Sequence, residues 1–309
     1  MRINNKKVIR LEGDASERKF FRSKNSIIIF SKKNKKKNLL IYDAVSRILN
    51  INGINAPKLL KNNYKKNFIE ISDLGDTTLL QFLKNKKNKK KIFLNALDLL
   101  FKIQKIKKFH VKDFTGKKYE IAKYSKNKLL QEANLFTEWY LPGKVSKKNL
   151  KKIKKKFYGV FLRLLKKIKL PDDVFVHRDF HVSNIMLQNK KYHLIDSQDA
   201  VVGNPAYDLA SLIDDVRLKT SNDLKKDVLN HFKKKYLNRD LKKFNNDFLI
   251  LSVLRNFKIL GIFSRLAKRD NKNKYLKYIP YTWCLIKLRT KNEKVFDELR
   301  LILKNNKII

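Results

Sequence analysis

A change in hydrophobic period near residue 73 constrains this chain more than any other feature of its sequence. Before it, apolar residues fall in short runs. Lys19 to Arg22, Ser26 to Phe30 and Phe68 to Ile71 read as strands, and Leu39 to Leu49 as one helix. Ser26-Ile27-Ile28-Ile29-Phe30 is short and β-branched, which favours a strand over a helix. Asn52-Gly53 closes the helix, and Ala56-Pro57 forces extended backbone after it. After Asp76 the pattern becomes helical over 79–83, 92–107, 119–140, 150–168, 223–236, 248–268 and 278–288. The exception is 174–199, where Val174 to Val176 and Tyr192 to Ile195 read as short strands flanking polar loops. The expected fold class is α+β: a small β-rich lobe over 1–72, a junction at 73–76, and a larger, mainly helical lobe over 77–309. Only eight glycines are present. Gly13, Gly75 and Gly203 stand beside charged or turn residues and are expected where the backbone needs glycine; Gly53 and Gly143 read as turns.

Charge is the second constraint. Lys and Arg number 74 against 28 Asp and Glu, a formal net charge of +46, while 43% of positions are hydrophobic. Such a chain can build a core, so disorder along its whole length is excluded. Clustered cations gain affinity for nucleic acid by releasing counterions. Yet the runs Lys32 to Lys37, Lys84 to Lys91 and Lys151 to Lys156 interleave with Asn and Ile, and Lys greatly outnumbers Arg. No zinc finger, basic zipper or RNA-binding strand motif accompanies them. A solvated lysine coat is favoured over a nucleic-acid site. Cys284 is the single cysteine, so no intramolecular disulfide can form, and a reducing compartment is expected. Met1 to Arg10 lacks an apolar core of the secretory kind, and no apolar run reaches membrane-span length. The expectation is a cytoplasmic protein without a membrane partner.

The chemistry concentrates in Val176-His177-Arg178-Asp179-Phe180-His181-Val182-Ser183-Asn184-Ile185-Met186-Leu187, followed by Tyr192-His193-Leu194-Ile195-Asp196. Asp179 and Asn184 share a loop bounded by apolar segments, and Asp196 lies just past the second short strand. One carboxylate can take a proton, while an amide oxygen and a second carboxylate can hold a hard, oxygen-loving cation. Phosphoryl transfer from a nucleotide needs little more than positioning, Mg²⁺ and a residue that orients the attacking hydroxyl. Any one of these residues alone reads equally well as a loop or strand-end hydrogen-bonding group. Together they spell H-R-D-x-x-x-x-N with a following strand and Asp, the catalytic pattern of kinases.

With these residues the chain resembles the aminoglycoside phosphotransferase family of small-molecule kinases, which share a bilobal protein-kinase-like fold. Within that family it is most similar to the anomeric kinases of N-acetylmuramate and N-acetylglucosamine in cell-wall recycling. The resemblance is carried by Gly13-Asp14-Ala15-Ser16-Glu17-Arg18-Lys19-Phe20-Phe21-Arg22, Asp73-Leu74-Gly75-Asp76, the segment from Gln131 to Tyr140, the segment from Ile195 to Leu212, and that from Leu254 to Ala267. It implies that ATP and Mg²⁺ are used, that Asp179 is the catalytic base, and that Asn184 and Asp196 bind the metal ion. It further implies that the 13–22 segment lies over the nucleotide phosphates, with Gly13, Asp14, Ala15 and Ser16 as its cofactor-binding residues, in an N-terminal nucleotide-binding lobe with 73–76 as the hinge. His177 and Asp208 would brace the catalytic loop. Glu132, Glu138, Trp139, Arg255 and Arg265 would meet the sugar, the arginines pairing with its carboxylate. Trp139 and Tyr140, at helical spacing from Phe136, read equally well as core, and Arg265 equally well as the partner of a surface acid.

Two departures stand out. Protein kinases carry a phosphate-holding lysine in their third strand, but Ile27-Ile28-Ile29-Phe30 has none, leaving the clamp unassigned. Asn204 stands where many family members have Asp before Pro205, a change expected to matter little. Charge separates the substrates. A polycationic aminoglycoside is repelled by a +46 protein, whereas N-acetylmuramate carries a carboxylate. Another hydroxyl substrate of the aminoglycoside, choline or homoserine type would share Asp179, Asn184 and Asp196 without needing the 131–140 or 254–267 segments.

Overall fold

The computed structural model describes residues 2–308 apart from 4–5, 12–17, 85, 87 and 236–239. The chain forms two compact units, one from 1–123 with 174–202 and the other from 124–173 with 203–309. The segment 73–76 lies inside the first.

The first unit is built on an antiparallel sheet of β1 (Ile9–Leu11), β2 (Lys19–Ser23), β3 (Ser26–Phe30), β4 (Leu59–Asn63) and β5 (Phe68–Ser72), in the order β1-β2-β3-β5-β4. Side chains alternate between faces along a strand, and both faces here are apolar. Ile29, Ile69 and Ile71 pack with Leu39 and Tyr42 of helix α1 (Lys37–Ile51). Phe21, Ile28 and Phe68 pack with Val8 on the other face. Burying each such side chain fully contributes about 1.5–3 kcal/mol, so this sheet is held by its centre. The expected strands β2, β3 and β5 and the expected helix α1 are all present. The unexpected strands, β1 and β4, are the two edges, where Leu60, Lys61 and Asn62 face solvent and no apolar alternation shows.

Helix α1 ends as its sequence implies: Gly53 has φ +72°, and the Ile54 N–H reaches back to the Leu49 carbonyl at 3.0 Å. Helices α2 (Leu79–Lys84) and α3 (Lys90–Gln104) follow, then a hairpin of β6 (His110–Lys112) and β7 (Lys118–Glu120). The helix expected from 119 therefore starts later. Tyr119 is paired with Val111 in the hairpin, and the Ser125 hydroxyl accepts from the Lys128 N–H to open α4 (Lys126–Leu135). The rest of this unit, β8 (Val174–Val176), β9 (Ile185–Gln188) and β10 (Lys191–Leu194), carries the candidate site.

The second unit is helical. Helix α4 runs into a π-helical turn, Phe136–Tyr140, and α5 (Lys147–Lys166) follows. After the short strand β11 (Val201–Gly203) come α6 (Ala206–Ile213), α7 (Asn222–Lys235), the 30-residue α8 (Leu241–Asp270), α9 (Ile279–Thr290) and α10 (Asp297–Asn305). Phe136 sits among Tyr140, Phe157, Phe257 and Trp283 at ring-centroid separations of 4.8–6.0 Å, and the Trp283 Nε1–H donates to the Tyr140 hydroxyl at 2.9 Å. Helix α8 touches the turn at Gly261. A Cβ there would lie 2.5 Å from both the Leu135 oxygen and the Phe136 nitrogen, so only glycine lets the two backbones meet. Asp214 is buried and accepts a bidentate pair from Arg289, both bonds 2.8 Å, with the Ser252 hydroxyl at 2.6 Å and the Lys225 ammonium at 3.6 Å. Gly75 has φ +78°, as expected, whereas Gly203 lies outside the positive-φ region and closes a strand. Among the described residues no helix is long and apolar enough to cross a membrane.

Candidate active site

Two buried, apolar strands fix the loop between them. β8 is Val-Phe-Val, wholly buried, and β9 pairs with β10 so that Ile185 lies opposite Leu194. The connecting residues Asn189 and Lys190 both have positive φ, 49° and 60°, the backbone of a tight two-residue hairpin. That register brings Asn184 beside Ile195, whose N–H donates to the Asn184 carbonyl at 3.0 Å, and so sets Asp196 one residue beyond. The loop is also tied to the segment after residue 76. The Leu187 N–H donates to the Thr77 carbonyl and the Leu80 N–H to the Val182 carbonyl, both at 2.9 Å.

One residue of this loop and one just past β10 carry strain. Arg178 and Asp196 have φ of +71° and +62° without being glycine, asparagine or part of a hairpin turn. Such conformations cost about 1–3 kcal/mol each and persist where surroundings over-determine them. His177 provides that constraint. It is fully buried, and its Nε2–H donates to the Ile195 carbonyl at 3.0 Å, joining the residue before Arg178 to the residue before Asp196. Burial lowers its pKa below the ordinary histidine value, outweighing the nearby carboxylates Asp179 and Asp196, so the ring is neutral. Arg178 leaves in the other direction, donating to the Asp199 carbonyl at 3.1 Å.

Asp179 is partly exposed at the turn of the loop, and the Asn184 Nδ2–H donates to its backbone oxygen at 3.0 Å. This bond leaves the Asn184 Oδ1 as the acceptor end of the amide. Asn184 and Asp196 are then two hard oxygen donors from adjacent hairpin positions. Mg²⁺ suits such a pair, because it keeps several waters and is bound by one or two side-chain oxygens plus substrate phosphates rather than by an all-protein cage. Among the described residues no group of three or more His, Cys, Asp and Glu converges as a metal cage.

The residues expected to face the sugar lie in the second unit. Glu132 is buried, ion-paired with Lys258 at 2.9 Å and accepting from the Tyr124 hydroxyl at 2.5 Å, with the Tyr207 hydroxyl 3.2 Å from that of Tyr124. Glu138 is exposed and Trp139 half-buried on the π-helical turn, and the Trp139 carbonyl accepts from Lys268 at 3.0 Å. Tyr140 belongs to the core cluster. Arg255 is only 4% exposed, and its Nη1 meets no hydrogen-bond acceptor; the Nε of Arg265 is buried in the same condition. Asp208 is fully buried in the first turn of α6. Asn204 accepts from the Ala206 N–H at 3.0 Å to open that helix and donates to Asp247 at 2.9 Å, a bond an aspartate could not give. The expected phosphate loop, Gly13, Asp14, Ala15 and Ser16, lies outside the described residues.

Residues 7–241 match the model of the APH phosphotransferase enzyme family. The chain belongs to that family. A protein of Neisseria meningitidis named N-acetylmuramate/N-acetylglucosamine kinase is 28% identical over 280 residues, spanning 86% of this chain and 80% of that protein. One of the same name from Pseudomonas aeruginosa is 28% identical over 282 residues, spanning 88% and 80%. A choline/ethanolamine kinase family protein from Mesorhizobium loti superposes with a TM-score of 0.63 at 13% identity, over 96% of this chain and 92% of its own. The gentamicin complex of aminoglycoside phosphotransferase APH(2″)-IIa gives 0.63 at 14% identity, over 91% and 92%. At such identities the likeness is one of fold, and the fold is the protein-kinase-like one expected.

Two arginines of the 13–22 segment make contacts in this phosphotransferase that the sequence does not disclose. Arg22, on β2, pairs with Asp73 at 2.6 Å and with Asp76, and donates to the Gly75 carbonyl at 3.0 Å. It binds the sheet to the 73–76 segment. Arg18 reaches Asp196 at 2.7 Å and the Gln198 side-chain oxygen at 3.0 Å. Neither has a local sequence signal, since each partner lies on a distant part of the chain.

Proposed function

We propose that this phosphotransferase is an ATP-dependent kinase of N-acetylmuramate, N-acetylglucosamine or both, acting on the anomeric hydroxyl in the cytoplasm during peptidoglycan recycling. The observation that carries the reading is the catalytic loop. Asp179 stands at a turn held by Asn184 and His177, and Asp196 is set by the same hairpin and the same histidine. Asp179 orients the sugar hydroxyl and takes its proton as the oxygen attacks the γ-phosphorus and the bond to the β-phosphate oxygen breaks. Asn184 and Asp196 would hold a Mg²⁺ ion, which would neutralise charge on the phosphates. The 1–72 region carries the nucleotide loop, Gly13 to Ser16, with 73–76 as hinge and 77–309 supplying catalysis and sugar binding. Asp208 and His177 support the loop.

For the sugar, Glu138, Trp139, Arg255 and Arg265 are the candidates. A buried guanidinium with a nitrogen lacking an acceptor is costly, and a carboxylate-bearing ligand would relieve it. Glu132 is already engaged by Lys258 and Tyr124, so its part is to hold α4 against α8. Support for the amino-sugar class comes from the relatives' names along most of the chain, and from a net charge of +46 that attracts an anionic sugar and repels a polycation. The deciding experiment is a coupled ADP-release screen over N-acetylmuramate, N-acetylglucosamine, kanamycin and choline. Turnover with either amino sugar well above the other two is expected. Turnover with kanamycin or choline alone would replace this reading with another hydroxyl substrate.

A further inference from the structure

We propose that Arg18 is the cation that holds the triphosphate tail of the nucleotide, in place of the third-strand lysine that this chain lacks. The inference rests on the kinase reading above, which leaves the phosphate-holding cation unassigned.

The vacancy is chemical. On the face of the sheet that packs against α1, β3 presents Ile27 and Ile29, which pack with Phe20, Tyr42, Ile69 and Ile71; on the other face it presents Ile28 and Phe30. No side chain of β3 between 27 and 30 can bind an anion. Arg18 fills the gap from the position just before the neighbouring strand β2. Phe20 pairs with Ile29 across β2 and β3, and Arg18 is two residues before Phe20, the spacing that returns a side chain to the same face. Its guanidinium carbon is 5.6 Å from the ring centroids of both Phe20 and Tyr42, which places it on the α1 side. It lies within the segment 13–22 that the family resemblance assigns to the phosphates.

Where the guanidinium points is the decisive observation. Its Nη2 is 2.7 Å from Asp196 Oδ1 and its Nη1 is 3.0 Å from Gln198 Oε1. The Arg18 side chain is 10% exposed, whereas that of Asp196 is 43% exposed. A cation so little exposed is stable only beside an anion, and without nucleotide that anion is the carboxylate assigned to the metal ion. Nucleotide arriving with its metal ion supplies one anion and one cation together. Asp196 would then hold the metal ion and Arg18 the phosphate, so that each anion would keep a cationic partner. Arginine suits the task because its planar donors match phosphate oxygens in pairs and it stays charged at any working pH.

The test is a calorimetric titration of the full chain, and of its Arg18→Ala and Arg18→Lys variants, with ATP and with adenosine in the presence of Mg²⁺. Arg18→Ala is expected to weaken ATP about 10- to 100-fold, the effect of losing charged hydrogen bonds, while adenosine affinity changes by less than about twofold. Arg18→Lys should recover part of the loss. An ion pair that only braces the fold would weaken ATP and adenosine equally or not at all, and either result overturns the proposal. Arg18→Lys, which keeps the charge, serves the same comparison where the alanine variant does not fold. If the parent protein itself binds no ATP, the kinase reading falls and this inference with it; if the parent binds ATP and both variants bind it equally well, Arg18 alone is excluded.

Discussion

The Nε2–H of His177 donates to the carbonyl of Ile195 at 3.0 Å, so one neutral, buried ring joins the two backbone positions next to the strained residues Arg178 and Asp196. In the proposed mechanism the loop offers a carboxylate and the position just past β10 a metal ligand, and this bond would hold the two in register. The bond runs between elements that are already rigid, the all-buried β8 and the β9–β10 hairpin, so the strain at φ +71° and +62° is fixed by packing rather than by ligand.

Asp179→Asn separates chemistry from architecture. The Asn184 amide bonds the backbone oxygen of residue 179, not its side chain, so the substitution leaves that brace in place. Phosphate transfer in a single-turnover assay should fall about 10²- to 10⁴-fold, the usual contribution of a general base, with ATP affinity nearly unchanged. Equal turnover in parent and variant would remove Asp179 from the mechanism.

Asn184→Ala should behave differently, because the proposed mechanism gives Asn184 two tasks. Loss of its bond to Asp179 costs about 0.5–1.5 kcal/mol of stability. Loss of its oxygen raises the Mg²⁺ concentration needed for half-maximal rate, and added Mg²⁺ should recover part of the activity. Initial rates over a Mg²⁺ titration at fixed ATP check this; a rate lost at every Mg²⁺ concentration in equal proportion would mean that the residue only braces the loop.

What the sequence disclosed and what it hid follow from range. Asp179, Asn184 and Asp196 lie within one hairpin's reach, so their spacing was readable, as were β2, β3, β5 and α1, each with its own apolar pattern. The edge strands β1 and β4 have little to alternate against. The π-helical turn at Phe136–Tyr140 adjoins the close approach of Gly261, and Arg18 finds Asp196 178 positions away. No local window contains such pairs. Gly203, whose neighbours suggested a special backbone, closes the strand β11.

Asp214→Asn tests the ionic centre of the helical unit. Burial alone pushes the Asp214 carboxyl up, but Arg289, held bidentately, and then Lys225 and Ser252 bring it below the ordinary value. Breaking such a buried pair while leaving its cations in place costs about 3–5 kcal/mol, to be read from urea unfolding at neutral pH. The sign of the pH effect follows from a depressed folded pKa. The stabilisation is complete above the unfolded value near 3.8 and disappears as pH falls through the lower folded value. Acid should therefore narrow the stability gap between parent and variant; a gap that stays constant through that range would show that the carboxylate's ionisation does not matter.

Gly261→Ala puts two opposing effects in competition. In an exposed helix the change gains about 1 kcal/mol, since glycine is the poorer helix former. At this position the new methyl would meet the backbone of Leu135 and Phe136, at 2.5 Å from the Leu135 oxygen and the Phe136 nitrogen, and backbone cannot swing aside as a flexible side chain can. Overpacking of this kind costs about 1–3 kcal/mol where side chains yield, and more where they cannot. The clash therefore wins, and urea unfolding should show a net loss of about 2 kcal/mol or more. The displacement would also reach the rings around Phe136, so the near-ultraviolet circular dichroism of the folded variant should change with it. A variant as stable as the parent, with the same aromatic signal, would mean that α8 and the π-helical turn can separate freely and that glycine is not needed for their contact.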